Sequence, residues 1–352
     1  MNKIIEVKKQ VDQFSDSDFV AKWDEFVRNS SEGSLWHSSS FLKCIASNFG
    51  YSLYPLYKEK EGEIVAALPL FSVPGLLGKS SKLISIPVSS WCGVISDSEP
   101  LEVEIIEEAR NLASQIETDY IEYRQIRALG GNHAQKSTYV TFLYDLTEGS
   151  ESIWNSMNRK TRGSIRKAEK SNLKVNIAEC PLEDFYNLYV LRLRDLGSPA
   201  YPYDLFASLK TAFGNDVLVT SVTKEDTLVS ACFSIKYKDT LHALLAGVDK
   251  RYLSLNPYSL MYWKLIEFAC SNSLKWFDFG RSRIGTGSYN FKKNWGFPST
   301  TLHYQYDLMK AREIPNLESG TTITKLFRLI WRMLPLGLVK WLGPKLRKYI
   351  VA

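Results

Sequence analysis

Several kinds of chemistry are excluded by what this 352-residue sequence is short of. Its five cysteines (Cys44, Cys92, Cys180, Cys232 and Cys270) are scattered, with no C-x-x-C pair. A disulfide framework is therefore disfavoured, and the set reads as reduced core thiols of a cytoplasmic protein. Only four histidines occur, none at ligand spacing from another His or Cys, so no metal site is expected. No run of about eighteen uncharged apolar residues is found, so no helix is expected to span a membrane. The opening residues Met1–Val7 lack the apolar stretch of a signal peptide and read as a strand. Acidic residues are missing altogether after Glu318, where Lys325, Arg328, Arg332, Lys340, Lys345, Arg347 and Lys348 contribute seven positive charges. Setting those seven aside leaves 37 basic against 38 acidic groups, so the net +6 belongs to a tail and the body is neutral. That distribution argues against a DNA-coating protein.

The length suits two domains of about 150 residues each. Asp16–Arg28 and Ser39–Asn48 have helical periodicity behind capping residues. Leu53–Lys58 and Ile64–Val73 read as strands joined by the turn Lys60-Glu61-Gly62-Glu63. A strand at Leu83–Pro87, a helix over Val103–Glu117 and strands near Tyr120–Arg124 and Tyr139–Leu143 complete the first half. The second half begins with helical segments over Glu151–Ser171, a strand at Leu173–Ala178, and helices at Leu182–Arg194 and Asp204–Ala212. Strands at Val217–Val222, Leu228–Tyr237 and Thr240–Ala246 precede a long helix over Asn256–Asn272, then strands at Lys275–Phe279 and Thr301–Tyr306. The pattern predicts an α+β chain with a domain over residues 1–147, a second over 148–312 and a basic amphipathic tail over 313–352.

The most informative segment runs from Trp276 to Phe297: a strand, a loop carrying Gly280, Arg281, Ser282, Gly285 and Gly287, then Tyr289, Phe291 and Lys292. No acidic residue lies between Phe279 and Tyr306. Backbone amides in such a loop can cradle an anion with arginine and lysine adding charge, although a plain solvated loop has the same composition. Gly280…Gly285-Thr286-Gly287 lacks the Gly-Lys-Ser/Thr of a P-loop, and Gly280-Arg281-Ser282-Arg283-Ile284 lacks the second glycine of a nucleophile elbow. Asp278, at the carboxyl end of its strand, is either a base or the partner of a neighbouring arginine. In a helix, Arg159, Arg162 and Arg166 share one face, which suits phosphates or RNA but equally a solvated surface. Trp36 beside His37, and Tyr201 after the turn Leu196-Gly197-Ser198-Pro199, are candidates to wall a cleft, or else core and helix-stop residues.

Residues Thr322–Leu334 set Lys325, Arg328 and Arg332 on one face and Ile323, Leu326, Phe327, Ile330 and Leu334 on the other. Pro335 breaks the helix, and Val339–Tyr349 repeats the mixture. Over 322–349 this suits an anionic membrane surface, or a helix docked on the body.

The run Asp278-Phe279-Gly280-Arg281-Ser282 … Gly285-Thr286-Gly287-Ser288-Tyr289 … Phe291-Lys292-Lys293-Asn294-Trp295-Gly296-Phe297 resembles the FemAB family, and more narrowly its exosortase- and exopolysaccharide-associated branch. Asn158–Lys170, Leu196-Gly197-Ser198-Pro199, Ala246-Gly247-Val248 and the tail motif Leu334-Pro335-Leu336 … Leu342-Gly343-Pro344 support it. The resemblance implies two tandem GNAT-like domains with mixed, mostly antiparallel sheets flanked by helices. It also implies transfer of an acyl or aminoacyl group onto an amine. The family's Phe-Lys pair at the transfer centre matches Phe291-Lys292, whose ammonium would stabilise the oxyanion, with Asp278 or the substrate removing the proton. Family arginines that grip precursor phosphates match Arg162 and Arg166. The place of the CoA pyrophosphate loop reads Asp249–Pro257 and holds no glycine, which favours a carrier-bound acyl group over acetyl-CoA. No heptad run marks the coiled-coil arm of some peptidoglycan-bridge enzymes.

The resulting expectation is an N-acyl or aminoacyl transferase of envelope polysaccharide assembly, peripheral on the inner face of the cytoplasmic membrane. It would act on an amine of a nucleotide- or lipid-linked saccharide, with no tightly bound cofactor. Aminoacyl-tRNA, acyl carrier protein or acyl-CoA would serve as cosubstrate. The alternatives are a non-catalytic saccharide or lipid-carrier binding protein, a peptidoglycan-bridge aminoacyltransferase, and a simple RNA binder.

Overall fold

A computed structural model describes residues 10–75, 81–314 and 322–350. The strand expected at the extreme N-terminus lies outside them. The chain divides into two compact units: residues 1–137 with 301–317 and 348–352, and residues 138–300 with 318–347.

In the first unit, α1 (Ser17–Asn29) is capped by the Asp16 carboxylate, and α2 (Ser39–Phe49) by the Ser38 hydroxyl. Strands β1 (Ser52–Lys60) and β2 (Glu63–Pro74) form the expected hairpin. Glu61 and Gly62 both take positive φ (54° and 87°), as a two-residue turn that follows the strand twist requires. Strand β3 (Ser81–Ile84) pairs with β2, β4 (Ile95–Ser96) also pairs with β2, and α3 (Glu99–Gln115) covers β1, β2 and β5 (Tyr120–Gln125). Leu68, Leu70, Leu83, Ile105, Ala109, Ile121 and Tyr123 meet in one fully buried core. Strand β6 (Ala134–Thr141) leads out of this unit.

The second unit has a mixed sheet in the order β7 (Leu143–Asp145), β12 (Trp276–Asp278), β11 (Thr240–Val248), β10 (Thr227–Tyr237), β9 (Val217–Lys224), β8 (Leu173–Asn176). Only the β11–β12 pair is parallel. Helices α4 (Gly149–Ser156), α5 (Arg159–Lys170) and α8 (Pro257–Ser271) pack together, and α6 (Leu182–Leu196) crosses β10 and β11. Helix α7 (Tyr203–Phe213) packs on α6 and β9. Strand β13 (Ser282–Arg283) pairs with Tyr139 and Val140 at the far end of β6, followed by the short helix α9 (Gly287–Lys293).

Two expectations change. The strand expected to close the second domain is β14 (Thr300–Leu308), and it pairs antiparallel with β5 in the first unit. Its Asp307 carboxylate there takes bonds from His133, Arg110 and Tyr123 at 2.7, 2.9 and 3.0 Å. The tail is not a separate segment either. Helices α10 (Thr322–Met333) and α11 (Leu336–Arg347), with Pro335 between them, pack on α6 in the second unit. At Gly197, the left-handed C-cap of α6 (φ +74°), a β-carbon would come within 2.8–3.0 Å of Arg328, and this closeness seats α10. The apolar set on α10 accordingly splits. Phe327 stacks on the buried Trp331 at 5.4 Å, while Leu326, Leu329, Ile330 and Met333 are 51–77% exposed as one outward row. The side chain of Ile323 is outside the described residues.

Candidate active site

The chemistry-bearing groups of the second unit converge where β12 ends. The parallel register sets Thr240 against Trp276, Leu241 against Phe277 and His242 against Asp278. Strand β11 then runs on through Val248 with no ladder partner on the β12 side among the described residues, because the chain leaves the sheet after Asp278. Gly280 makes that exit possible at φ +72°, a conformation costly for any residue with a β-carbon.

Asp278 is 2% exposed and its carboxylate is surrounded by donors: Thr141 Oγ1 at 3.2 Å, His242 Nδ1 at 3.0 Å and the Gly280 amide at 2.7 Å. Burial alone would raise its pKa, but the His242 contact, the Gly280 amide and the Lys292 charge outweigh that and hold it below the usual carboxylate range. A carboxylate so held is a poor proton acceptor. Its three donors hold Asp278 as a charged anchor in this structure.

Lys292 is 8% exposed, on the inner side of α9. Its Nζ donates to the carbonyls of Gly280 (2.8 Å) and Arg281 (3.2 Å). Burial pulls its pKa down to about 7, partly offset by Asp278 and reinforced by Arg281. Two of the three N–H positions of the ammonium are thereby taken, leaving one valence for another group. Below pH 7 that valence carries a proton, and above it a lone pair. Phe291, the preceding residue of α9, packs against Tyr262, Trp295 and Tyr258, with ring centroids 6.0, 6.2 and 6.4 Å away, and Tyr262 in turn lies 4.8 Å from Phe279. Cys232 is not a competing nucleophile, since burial pushes its thiol up to about 12.

The loop between β12 and α9 bonds several of its amides within the protein. Its amides at Gly280, Ile284, Thr286 and Tyr289 donate to Asp278, Thr138, Arg283 and the Thr286 hydroxyl. Ser282 is buried with its hydroxyl 2.9 Å from that of Ser288. Gly285 serves the turn at φ +81°, whereas a β-carbon at Gly287 would meet nothing. Arg281 lies over the Tyr139 ring at 4.7 Å, and Tyr289 packs against Phe142 at 5.9 Å.

The remaining candidates go elsewhere. Arg162 Nη1 caps the end of α4 through the carbonyls of Asn155 (3.3 Å) and Trp154 (3.5 Å), and Arg166 lies 5.4 Å over the Trp154 ring. They brace α4 against α5, with Arg166 still exposed. Tyr201 is buried, with its hydroxyl bonded to Arg347 at 2.7 Å and that guanidinium 4.4 Å from its ring. It is a seat for the tail and not a cleft wall. Trp36 lies in the first unit, 3% exposed and edge-on to Phe41 at 5.1 Å, as a core residue. Sequence reasoning missed His242, Thr141, Tyr258 and Tyr262. No local pattern announces His242, which reaches Asp278 from 36 residues away through the parallel strand register.

Residues 155–293, which span this site, match the family model described as an acetyltransferase (GNAT) domain. No curated protein matches. Among solved structures, FemX superposes with a TM-score of 0.64 at 14% identity, covering 89% of this chain and 98% of its own. The L-PGS of Bacillus licheniformis gives 0.54 at 12% identity, covering 90% and 96%. A tandem GNAT protein from the clavulanic acid biosynthesis pathway gives 0.50 at 10% identity, covering 83% and 95%. Residues 155–293 thus form a GNAT acetyltransferase domain, which makes the chain an enzyme of the acyltransferase class, and its fold is like those of FemX and of the tandem GNAT protein.

Proposed function

We propose that the protein transfers an acyl or aminoacyl group to an amine on a nucleotide- or lipid-linked saccharide of envelope polysaccharide assembly. The observation that carries the transfer chemistry is the buried Lys292 amine, fixed by two carbonyls beside Phe291 at the end of β12. The acceptor amine attacks the donor carbonyl carbon, the remaining valence of Lys292 faces the oxygen on which charge develops, and the intermediate collapses to the amide as the bond to the carrier breaks and the carrier leaves with the proton given up by the amine. A preformed donor in a dry site is worth far more there than in water. The unpaired edge of β11 beyond His242 offers backbone groups to an extended donor arm bearing amides, in the way a strand adds to a sheet. An acyl group on a carrier arm suits that edge. The saccharide acceptor rests on the sequence resemblance.

The test is mass spectrometry of envelope saccharides from a strain lacking the gene. A lost mass increment restored by the wild-type gene supports the proposal and names the group. An unchanged saccharide profile overturns it.

The tail gives the second part of the reading, contact with an anionic membrane surface. The outward row of Leu326, Leu329, Ile330 and Met333 is bordered by Lys325 and Arg332, and no acid follows Glu318. Such a helix lies in the interface plane with its apolar side among the acyl chains. Vesicles containing phosphatidylglycerol should pull down the protein and neutral phosphatidylcholine vesicles should not. The double variant Leu329→Asp/Met333→Asp should stay in the supernatant. Equal partitioning of wild type and variant would remove this part.

A further inference from the structure

We infer that His242 is a positioning residue for the transfer amine, acting through Asp278 and the Gly280 peptide. The path is continuous: His242 Nδ1 to Asp278 Oδ2 at 3.0 Å, the Gly280 amide to Asp278 Oδ1 at 2.7 Å, and Lys292 Nζ to the Gly280 carbonyl at 2.8 Å. Each link fixes the next. His242 and Thr141 hold the two carboxylate oxygens from opposite strands, so the carboxylate cannot rotate. The held carboxylate clamps the Gly280 amide, and the left-handed turn at that residue then points its carbonyl at the amine. All five groups are buried or half-buried, so no water competes for these bonds.

The charged groups that act on Lys292 directly are Asp278, which favours its ammonium, and Arg281, which opposes it. Its helix neighbour Lys293 turns to the Tyr289 ring, 5.8 Å away. The Tyr258 and Tyr262 phenols on α8 pack on Phe291, and burial raises their pKa, so they carry no charge near neutrality. The electrostatic balance at the amine is thus set by one anion that His242 holds in place and one cation in the loop.

The inference deepens the acyl-transfer reading and shares its assumption that Lys292 serves the reacting groups, but its test uses no turnover. The full-length protein is labelled with trace acetic anhydride across pH 5.5 to about 11, and acetylation of Lys292 is followed by peptide mass spectrometry. The wild-type midpoint should fall near 7. Asp278→Asn should move it acid-ward by about one pH unit or more. His242→Ala should move it in the same direction by less, because an unheld buried carboxylate takes up a proton more readily. His242→Gln, which keeps a donor, should restore part of the shift. Arg281→Gln should move it the other way. The variant combining His242→Ala with Asp278→Asn should titrate like Asp278→Asn alone, since the path from His242 to the amine runs through that carboxylate.

A His242→Ala midpoint equal to wild type, or additive shifts in the double variant, would overturn the positioning role. So would a Lys292 that labels at no pH, because its third valence would then be closed off. Should His242→Ala fail to fold, His242→Gln and the Asp278→Asn background carry the test. A failed saccharide assay with the expected labelling shifts would remove the function and leave the positioning network standing.

Discussion

Lys292→Met is expected to abolish acyl transfer, by about a thousandfold or more, while the protein keeps its fold. Methionine keeps the unbranched apolar stem that packs inside α9 and deletes only the nitrogen. What is lost is the donor that the proposal sets against the developing oxyanion, and neither Asp278 nor Cys232 replaces it. Asp278 is an anion, and Cys232 is a neutral thiol. Lys292→Arg should not rescue activity. A guanidinium is planar and bulkier than an ammonium, so it does not fit between the Gly280 and Arg281 carbonyls. The measurement is restoration of the envelope saccharide mass increment in a strain carrying each variant, with the circular dichroism spectrum as the folding control. Full restoration by Lys292→Met would remove Lys292 from the chemistry.

The second large effect is on stability. In the folded protein burial holds the Lys292 amine near 7, against 10.5 for an ordinary lysine. Below pH 7 both folded and unfolded chains carry the proton, and the folded chain bears the cost of a buried charge. Between about 7 and 10.5 the folded state has released the proton and the unfolded state still holds it, so stability rises with pH through this window. At about 1.4 kcal/mol per pH unit the gain is on the order of 4 kcal/mol relative to Lys292→Met, which has no proton to release. Asp278 feels the Lys292 charge, but it titrates on the acid side of this window, and groups remote from Lys292 cancel between the two proteins. Urea denaturation at pH 6.5 and 9.5 should therefore show wild type gaining on the variant as pH rises. Parallel behaviour of the two proteins would show that the amine is not held low by burial.

These two results and the labelling shifts differ in how far they could be anticipated from residue order. Asp278 and Lys292 stood out because a strand, a glycine turn and a Phe-Lys pair are consecutive in the chain. The structure brings both to the end of β12 and surrounds Asp278 with donors. Asp278 looked like a base while its surroundings were unknown, and it became an anchor once three donors were found around it. Helix α9 was not anticipated at all, since seven residues give too few turns for a periodicity to register. The same limit applies to the loop before it, where the amides of Gly280, Ile284 and Tyr289 bond Asp278, Thr138 and the Thr286 hydroxyl.

Short-range physics was readable throughout. The caps at Asp16 and Ser38, the Glu61-Gly62 turn, the break at Pro335 and the long helix α8 each depend on residues a few positions apart. Pairing between strands distant in the chain was not, because register is decided by which faces bury together and leaves no mark at the partner residue. That is why β14 joined β5 in the first unit, why His242 came opposite Asp278, and why Tyr201 proved to be the seat of Arg347. The tail shows both halves of the lesson. Its helices, its basic charge and its lack of acids belong to the residue order. Which apolar residues turn inward was settled by Gly197, whose missing side chain lets α10 settle on α6 with Trp331 buried and the Leu326–Met333 row left outside.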